Sequence, residues 1–502
     1  MYYIGLDVGT SGCKASISDA SGNMVAYANH TYAVLSPSPG YVEIDAAEVW
    51  ARVKDTLKEA VGIALKKGIN SYEIATLAAG SFGEAVVLVG EDGEPLEPSI
   101  YYSDIRGAEE TRDIAEAADA ATIMRITGMP PNPMFSANKL LWIKKHRPEI
   151  LDRAKYLMLF GDFINYKLTG ERIIDYSLAS RTMLFDINTY QWSEEISGTL
   201  GLPYDRFSEP VLAGTPIGTV LPEVADEIGF YRSMLVVAGG HDQAVAALGG
   251  GVIKPGQAID GMGSSECITT VIEKGGDALR MAEYGFCCEP HVVAGRFITL
   301  AFNASGGTAM YWFKNRFFRD LARDADEKRV DFHGLVDSMI PQETTDVLFL
   351  PYVGGSGTPY MDSTTGGAFF NLTLATDVHA MYKAVLEGVC FEMKYNLDLL
   401  ESLGIAPQEI RVVGGTTRSD PLMQIKADIF GRDIHVLKDW EIGTVALAYL
   451  CAAARGEEGA ILDNMLSHTT DRSVYIPNPR QVERYKEKME RYIKLYPAIK
   501  GI

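Results

Sequence analysis

The run Val236-Val-Ala-Gly-Gly-His-Asp-Gln-Ala-Val245, continuing to Gly261-Met-Gly-Ser-Ser265, decides how this chain is read. Leu235 to Ala238 is an apolar stretch of the length and character of a buried strand. It ends in a glycine pair, where no Cβ blocks the approach of another backbone or a ligand. Asp242 follows at once, and Ala244 to Leu248 reads as the start of a helix. A carboxylate at the end of a buried strand, beside a glycine turn, is where α/β folds place their chemistry. The same residue is equally suited to capping the helix that follows. His241 is read as a neighbour rather than the base, since consecutive residues at a strand end point to opposite faces.

Outward from this stretch, Gly263-Ser-Ser-Glu-Cys267 resembles Gly9-Thr-Ser-Gly-Cys13 near the start of the chain. Each is entered from a strand and followed by strand-like residues, Ile268-Thr-Thr-Val271 in the second copy. In the first, Asp7-Val-Gly-Thr-Ser-Gly12 joins strands Tyr2 to Val8 and Cys13 to Asp19. Glycines and small hydroxyl residues in such a turn let backbone N–H groups point at a phosphate. Asp7 lies beside that turn, placed to hold Mg²⁺ through water, and Lys14 adds positive charge. A plain hairpin with a flexible tip would have the same composition. The repetition half a chain apart predicts two duplicated domains facing each other, with a polyphosphate clamped between the hairpins.

The whole chain limits the remaining choices. Its 502 residues are enough for two or more domains with substantial cores. With 47% apolar and 22% charged residues the composition is that of an ordinary globular protein. A net charge of −20 argues against nucleic acid or an anionic membrane as the main partner. The first residues lack the basic and apolar regions of a signal peptide, and no apolar run reaches the roughly 18 residues of a membrane span. Six scattered cysteines show no C-x-x-C and no zinc spacing, so a reducing cytoplasm is expected.

Further along, Asp45 to Lys67 carries helical periodicity, and Ile74 to Ala79 is a strand ending in Gly80-Ser-Phe-Gly-Glu84. Glu84 and Asp104 each stand where a strand gives way to irregular chain. Carboxylates there suit a polyhydroxyl ligand, and surface solvation or capping is the plain alternative. Ala154 to Thr169 reads as one helical stretch, and Arg172 to Asp186 as a polar loop near a cleft. Asn303-Ala-Ser-Gly-Gly307 opens a helix whose N-terminus is a ready anion site. Glu409 to Val413 delivers Gly414-Gly-Thr-Thr-Arg-Ser419, a glycine turn that can floor a purine. Ile442 to Ala454 is an alanine-rich helix, and Gln481 to Tyr496 an amphipathic charged one, stopped by Pro497 and read as a solvated face.

Asp7-Val-Gly-Thr-Ser, Gly239-Gly-His-Asp-Gln, Gly263-Ser-Ser, Gly366-Gly-Ala-Phe-Phe, Val385-Leu-Glu-Gly388 and Val413-Gly-Gly-Thr-Thr-Arg-Ser419 stand in one order. In that order they resemble the FGGY family of carbohydrate kinases, whose members include glycerol, xylulose and gluconate kinases. The resemblance runs from about residue 3 to about residue 455. It implies an α/β fold with two actin-like (ribonuclease-H-like) domains around a central cleft. Residues 1–246 would form the sugar-binding domain with the catalytic base, 247–455 the nucleotide-binding domain, and 456–502 a helical extension. By position, Asp242 matches the base that takes the proton of the attacking hydroxyl, and also touches the sugar. Asp7 matches the acid near the metal, and Thr10, Ser11 and Lys14 the first phosphate turn. Gly263 and Ser264 match the second turn, while Gly306, Gly414, Gly415 and Arg418 match the nucleotide pocket. Ser81, Phe82, Gly83, Glu84 and Asp104 match the region that holds the polyol.

The resemblance therefore implies ATP and Mg²⁺, a small sugar or polyol as partner, no nucleic acid, no membrane, and a homodimer of the kind many relatives form. The chemistry of the residues agrees with it. A sugar hydroxyl is a poor nucleophile at neutral pH, and a positioned carboxylate base contributes roughly 10²–10⁴-fold. Alignment and charge neutralisation supply most of the rest. No Gly-x-x-x-x-Gly-Lys-Ser/Thr is present, and the paired hairpins would take its place. Asn371, Ala380, the uncharged Gly354-Gly-Ser-Gly-Thr-Pro359 loop and Phe82-Gly83 depart from the usual pattern and bear on which sugar is used. A non-catalytic nucleotide- or sugar-binding regulator of the same fold is the alternative, although a binder has no need of a base at position 242. An acyl-phosphate-forming relative of this fold has no such need either.

Overall fold

The computed structural model describes residues 1–275, 277–438, 441–456, 467 and 469–501. Its first mixed sheet contains β1 (Tyr2–Val8), β2 (Gly12–Asp19), β3 (Met24–Thr31), β4 (Ile74–Ser81), β5 (Pro216–Thr219) and β6 (Leu235–His241). The strand order is β5-β6-β4-β1-β2-β3. The second sheet contains β7 (Gln257–Met262), β8 (Glu266–Ile272), β9 (Glu289–Pro290), β10 (Phe297–Asn303), β11 (Glu409–Val413), β12 (Ile434–Leu437) and β13 (Asp471–Tyr475). Its order is β9-β10-β8-β7-β11-β12-β13.

The two sheets share one plan. In the first, β3-β2-β1 run antiparallel, and β4 and then β6 are added in parallel beside β1. In the second, β10-β8-β7 run antiparallel, and β11 and β12 are added in parallel beside β7. This duplication is what the repeated hairpins predict, and its plan is the actin-like one that the family resemblance implies. The hairpins differ in one respect. Val8 pairs with Cys13 across residues 9–12, whereas Met262 pairs with Glu266 across residues 263–265. The second turn is thus one residue shorter, and Glu266 rather than Cys267 stands in the place of Cys13. Gly9 and Gly263 do correspond: each donates its N–H across the turn, to Gly12 and Ser265 respectively, at 2.9 Å.

Local chemistry explains the helices. α1 (Ala46–Lys66) starts where Asp45 accepts from the N–H groups of Ala47 and Glu48, and it buries Val49, Val53, Leu57 and Val61 against the first sheet. α2 (Phe160–Thr169) is shorter than its sequence suggests, because Tyr156–Met158 is a strand paired with Val87–Val89. The Asp162 carboxylate accepts from Leu159 N at 2.7 Å and fixes the helix start there. α3 (Tyr176–Ser180) is capped by Asp175, so the stretch expected as a loop contains a strand and a short helix. α4 (Asp242–Gly249), α5 (Gly306–Phe317), α6 (Val378–Ser402), α7 (Asp420–Phe430), α8 (Ile442–Ala453) and α9 (Pro479–Tyr492) follow.

The partition expected from sequence is redrawn at two places. A boundary at 246/247 falls inside α4, which is continuous from Asp242 to Gly249. α8, numbered within the second domain, packs instead on β1, β4 and α4 of the first. It does so because glycines remove the obstacle: a Cβ on Gly5 would collide with the Thr444 carbonyl, and one on Gly249 with that of Ile442. In the C-terminal stretch, residues 457–466 and 468 lie outside the described ones. The remainder is not only helical, since β13 extends the second sheet. Nor is α9 merely a solvated face: Tyr485 donates to Glu387 at 2.9 Å and Tyr492 to Glu392 at 2.6 Å, anchoring it on α6. α9 ends at Tyr492, and Pro497 lies within a further short helix, Leu495–Ile499, in an early turn that tolerates proline. Among the described residues no helix is long and apolar enough to cross a membrane.

The α8 contact yields a stability test. Gly5→Ala should cost about 1–3 kcal/mol, as overpacking does, and lower the Tm. Gly62→Ala, in α1 where a Cβ meets nothing within 4 Å, should leave the Tm unchanged or raise it.

Candidate active site

The hairpins, the ends of β4 and β6 and one face of the second sheet enclose three adjoining cavities. The first, about 500 Å³, is lined by Thr10, Phe82, Glu84, Arg181 and Asp242 on one side and by Gly263, Cys267, Leu300 and Phe302 on the other. The second, about 680 Å³, is lined by Gly263, Ser264, Gly307, Tyr311, Gly415 and Arg418. The third, about 190 Å³, lies between Asp7, Lys14, Asp242 and Gly443. Gly263 borders both larger cavities, so the tip of the second hairpin is the partition between them.

Asp242 is the first helical residue of α4; the cap position belongs to His241, whose side chain makes no capping bond. The capping role is thereby vacated and the Asp242 carboxylate is turned to the cavity, with its side chain 26% exposed. Burial pushes Asp242 up to about 6; His241 opposes the rise, and Asp7 and Glu84 add to it. Contrary to the strand-end argument, His241 and Asp242 do meet: Nε2 lies 3.2 Å from Oδ1. Alternation fails here because the chain leaves the strand for a helix between these two residues.

A buried charge chain continues from this pair. His241 Nδ1 lies 2.8 Å from Glu289 Oε1, Arg181 Nη1 donates to Glu289 Oε2 at 3.2 Å, and Arg181 Nε donates to Glu84 Oε1 at 2.7 Å. Glu84 takes a left-handed backbone conformation (φ 67°), which is uncommon without glycine. Its carbonyl accepts from Ser136 Oγ at 2.6 Å, and its carboxylate is fixed by Arg181. On the other side of the site, Lys14 Nζ stands 3.4 Å from Asp7 and 3.0 Å from Glu441, and these carboxylates hold it charged despite its burial.

Among the residues named from sequence, Thr10, Lys14, Phe82, Gly83, Glu84, Asp242 and Gly263 converge on the first cavity. Gly263, Ser264, Gly415 and Arg418 converge on the second, and Asp7 lines the third. The others serve the scaffold. Asp104 is fully buried with both oxygens occupied, taking Arg106 N and Nε on one and Val42 N and Arg106 Nη2 on the other, so it does not reach the cavity. The Ser81 hydroxyl donates to the Phe82 carbonyl at 2.8 Å and is buried. Ser11 is exposed at the hairpin tip, off the cavity walls. Gly306 packs where a Cβ would sit 2.8 Å from that of Glu266; its neighbour Gly307 faces the pocket. The first N–H groups of α5 are not an open anion site either. Gly307 donates to the Gly263 carbonyl at 3.0 Å and Thr308 to that of Ser264 at 2.9 Å, riveting hairpin to helix. Gly414 (φ 113°) sits against the Met262 carbonyl and turns the chain so that Gly415 lines the cavity.

Sequence reasoning missed Tyr102 and Arg181 at the first cavity, Glu289 buried behind Arg181 and His241, and Tyr311, Lys314, Asp331 and Tyr382 at the second cavity. Arg181 lies in a stretch correctly expected near a cleft, where a lone arginine among small polar residues was the available signal. Glu289 had none: it follows Cys287-Cys288 on an edge strand of two residues.

Asp7 offers a hard oxygen donor in a small cavity that Asp242 also borders, which fits an ion that retains most of its water. Among the described residues no three His, Cys, Asp or Glu side chains cluster as a closed metal cage. The donor set thus fits Mg²⁺ held mainly by water and substrate phosphates.

The profile of the FGGY family of carbohydrate kinases, N-terminal domain, matches residues 2–249, and that of the C-terminal domain matches residues 262–455. The chain is 27% identical to the xylulose kinase of Escherichia coli (strain K12) over 498 residues, covering 99% of each. It is also 27% identical to the gluconokinase of Bacillus subtilis (strain 168) over 465 residues, covering 91% of this chain and 88% of the relative. The crystal structure of ligand-bound xylulose kinase from Lactobacillus acidophilus superposes with a TM-score of 0.89 at 25% identity, covering 100% of this chain and 98% of that one.

Arg181 compensates two buried carboxylates at once. Arg181→Met should therefore destabilise the protein by about 3–5 kcal/mol, the cost of stranding a buried charge, visible as a large fall in Tm. Arg323→Met, at an exposed ion pair with Asp320, should change it little.

Proposed function

The chain belongs to the FGGY family of carbohydrate kinases, and we propose from that premise how its residues carry out ATP-dependent phosphorylation of a sugar hydroxyl. The sugar occupies the first cavity and the nucleotide the second, with the terminal phosphate at the Gly263 partition. The observation that carries this reading is the placement of Asp242, a carboxylate in the cavity that shares the Gly263 wall with the nucleotide side. In this division the first half of the chain supplies the sugar site and base, and most of the second half the nucleotide site.

In the reaction, the sugar oxygen forms a bond to the terminal phosphorus while the bond to the leaving ADP oxygen breaks. The hydroxyl proton passes to Asp242. A carboxylate near 6 is ionised at neutral pH yet more basic than an ordinary aspartate, which suits a general base. Glu84 accepts sugar hydroxyls and Phe82 and Tyr102 pack against the carbon skeleton. The N–H groups of both hairpin turns and the Lys14 ammonium face the phosphates, and Arg418 borders the nucleotide. Mg²⁺, held near Asp7, would neutralise phosphate charge when bound.

The substrate we favour is an uncharged ketose or polyol. Arg181, Lys14 and His241 are the cations bordering the first cavity, and each already faces two carboxylates. A sugar acid would find no uncommitted positive charge among the described residues there. Of the relatives, xylulose kinase is named for a neutral ketose and gluconokinase for an acid; the charge pairing sides with the former. A purely regulatory binder finds no support.

The test is ADP release with Mg·ATP against pentuloses, hexuloses, short polyols and aldonates. A neutral acceptor should be turned over, and preference for an aldonate would overturn the substrate assignment. Asp242→Asn should lower kcat by roughly 10²–10⁴-fold, the worth of a general base, while ADP still binds by calorimetry. Wild-type turnover in that variant would sink the assignment of the base. For the native enzyme, kcat/KM should hold above about pH 6 and fall as Asp242 is protonated below it.

A further inference from the structure

We propose that Glu289 and His241 are positioning residues for the base: Glu289 holds the imidazole of His241, and His241 in turn holds Oδ1 of Asp242. This rests on Asp242 being the base. The contacts are 2.8 Å from Glu289 Oε1 to His241 Nδ1 and 3.2 Å from His241 Nε2 to Asp242 Oδ1. Both ring nitrogens are thereby committed, and the ring orientation is fixed. The backbone beneath the ring is fixed as well: His241 N donates to Ser177 Oγ at 2.8 Å, and Ser177 Oγ donates to Asp175 at 2.5 Å. Glu289 is fully buried and its second oxygen takes Arg181. Its whole bonding capacity is thus directed at these two cations, and it has no solvent to serve.

The contact also spans the cleft. Glu289 lies on β9, at the edge of the second sheet, where it pairs with Ile298 of β10. His241 ends β6 of the first sheet, and β9 packs on α3 of the first half. Leu300 of β10 and Cys287 just before β9 line the sugar cavity from the same side. The carboxylate that receives the proton is therefore set by an element of the opposite half. Asp242 presents Oδ2 to the sugar hydroxyl when the two halves are docked as seen here.

Charge supports the geometry. Burial disfavours the imidazolium, but Glu289 and Asp242 on either side overcome it and raise His241 to about 9, with Arg181 opposing. His241 then donates from both nitrogens at neutral pH. The charged or titratable groups facing the pair are Glu289, Arg181, Glu84, Asp7, Tyr102, Cys267 and Lys14, with Asp175, Cys287, Cys288 and His291 beside Glu289.

The experiment is a double-mutant cycle in the full-length enzyme, using Mg·ATP and the neutral acceptor turned over fastest in the panel above. Glu289→Gln keeps the shape of the side chain and removes its charge. It should lower kcat by about 10-fold or more, a part of what the base supplies, with KM for sugar and ATP changed less than about threefold. Placed in an Asp242→Asn background, the same substitution should cost little more, because its effect passes through Asp242. His241→Gln should move the acid limb of kcat/KM upward by about one pH unit, as loss of a neighbouring cation does. Should that variant not fold, the Glu289 cycle decides alone. Turnover within twofold of the wild type in Glu289→Gln, or an equal loss with and without Asp242, overturns the proposal. Failure of the base reading is separate: it shows as wild-type turnover in Asp242→Asn by itself.

Discussion

Helix α8 can lie on the first sheet only where backbone meets backbone, and the active site depends on that contact. Gly5 in β1 and Gly249 at the end of α4 leave room for the carbonyls of Thr444 and Ile442, and Gly80 at the end of β4 faces Leu447. A chain segment that has just left the second sheet is thereby seated across the first. Its leading residues, Glu441 and Gly443, then arrive beside Lys14 and Asp7. This tight backbone packing and the corner we propose for the metal are one feature seen from two sides. Moving α8 away would also free α4, which carries Asp242.

The second organising fact is charge balance out of water. Around the cleft, cations and carboxylates alternate: Glu84, Arg181, Glu289, His241 and Asp242 in one chain, and Asp7, Lys14 and Glu441 in another. Such groups are costly to bury singly and tolerable when each has a partner of opposite sign. The alternation stabilises no more than an apolar core would, but it fixes each head group in one place. Carboxylates outnumber cations in both chains. Burial keeps Asp242 basic, with Asp7 and Glu84 adding to it, and the surplus negative charge is the ground on which we favour an uncharged acceptor.

Legibility in the sequence followed whether a residue's role is local. Asp242, Thr10, Gly263 and Ser264 were readable because a turn at the end of a strand has a local signature in glycine and small polar residues. The duplication of the fold was readable for the same reason. Asp104 and Ser81 look equally suitable on paper, since both end strands. Only tertiary structure shows that Arg106 and Val42 use up the first and the Phe82 carbonyl the second. Gly306 illustrates the converse: the glycine is demanded by Glu266, a residue far from it in the chain, rather than by a ligand. Arg181 and Glu289 act through partners 48, 97 and 108 residues away in the chain, which no local pattern records.

The partition at Gly263 shows how rigidity is supplied where catalysis needs it. A phosphate-binding turn gains most when its donors are already aimed and need not reorganise during reaction. Here the carbonyls of Gly263 and Ser264 are taken by the first turn of α5, and the turn closes through Gly263 N and Ser265 O. Behind it, Glu266 and Asp260 both contact the fully buried Lys426 of α7. Glu266 is pushed up by burial and by Asp260, with Lys426 opposing. One lysine between two buried carboxylates locks the base of the hairpin to a helix that also borders the nucleotide cavity through Leu422. The first hairpin is anchored differently: Cys13, at the position of Glu266, meets Thr56 of α1 at 3.2 Å, Lys14 lies between Asp7 and Glu441, and the tip is tied by Tyr32 to the Gly9 carbonyl. The duplicated turns have therefore diverged in how they are anchored. The one held by the fully buried lysine separates the two larger cavities, where we propose that the terminal phosphate lies.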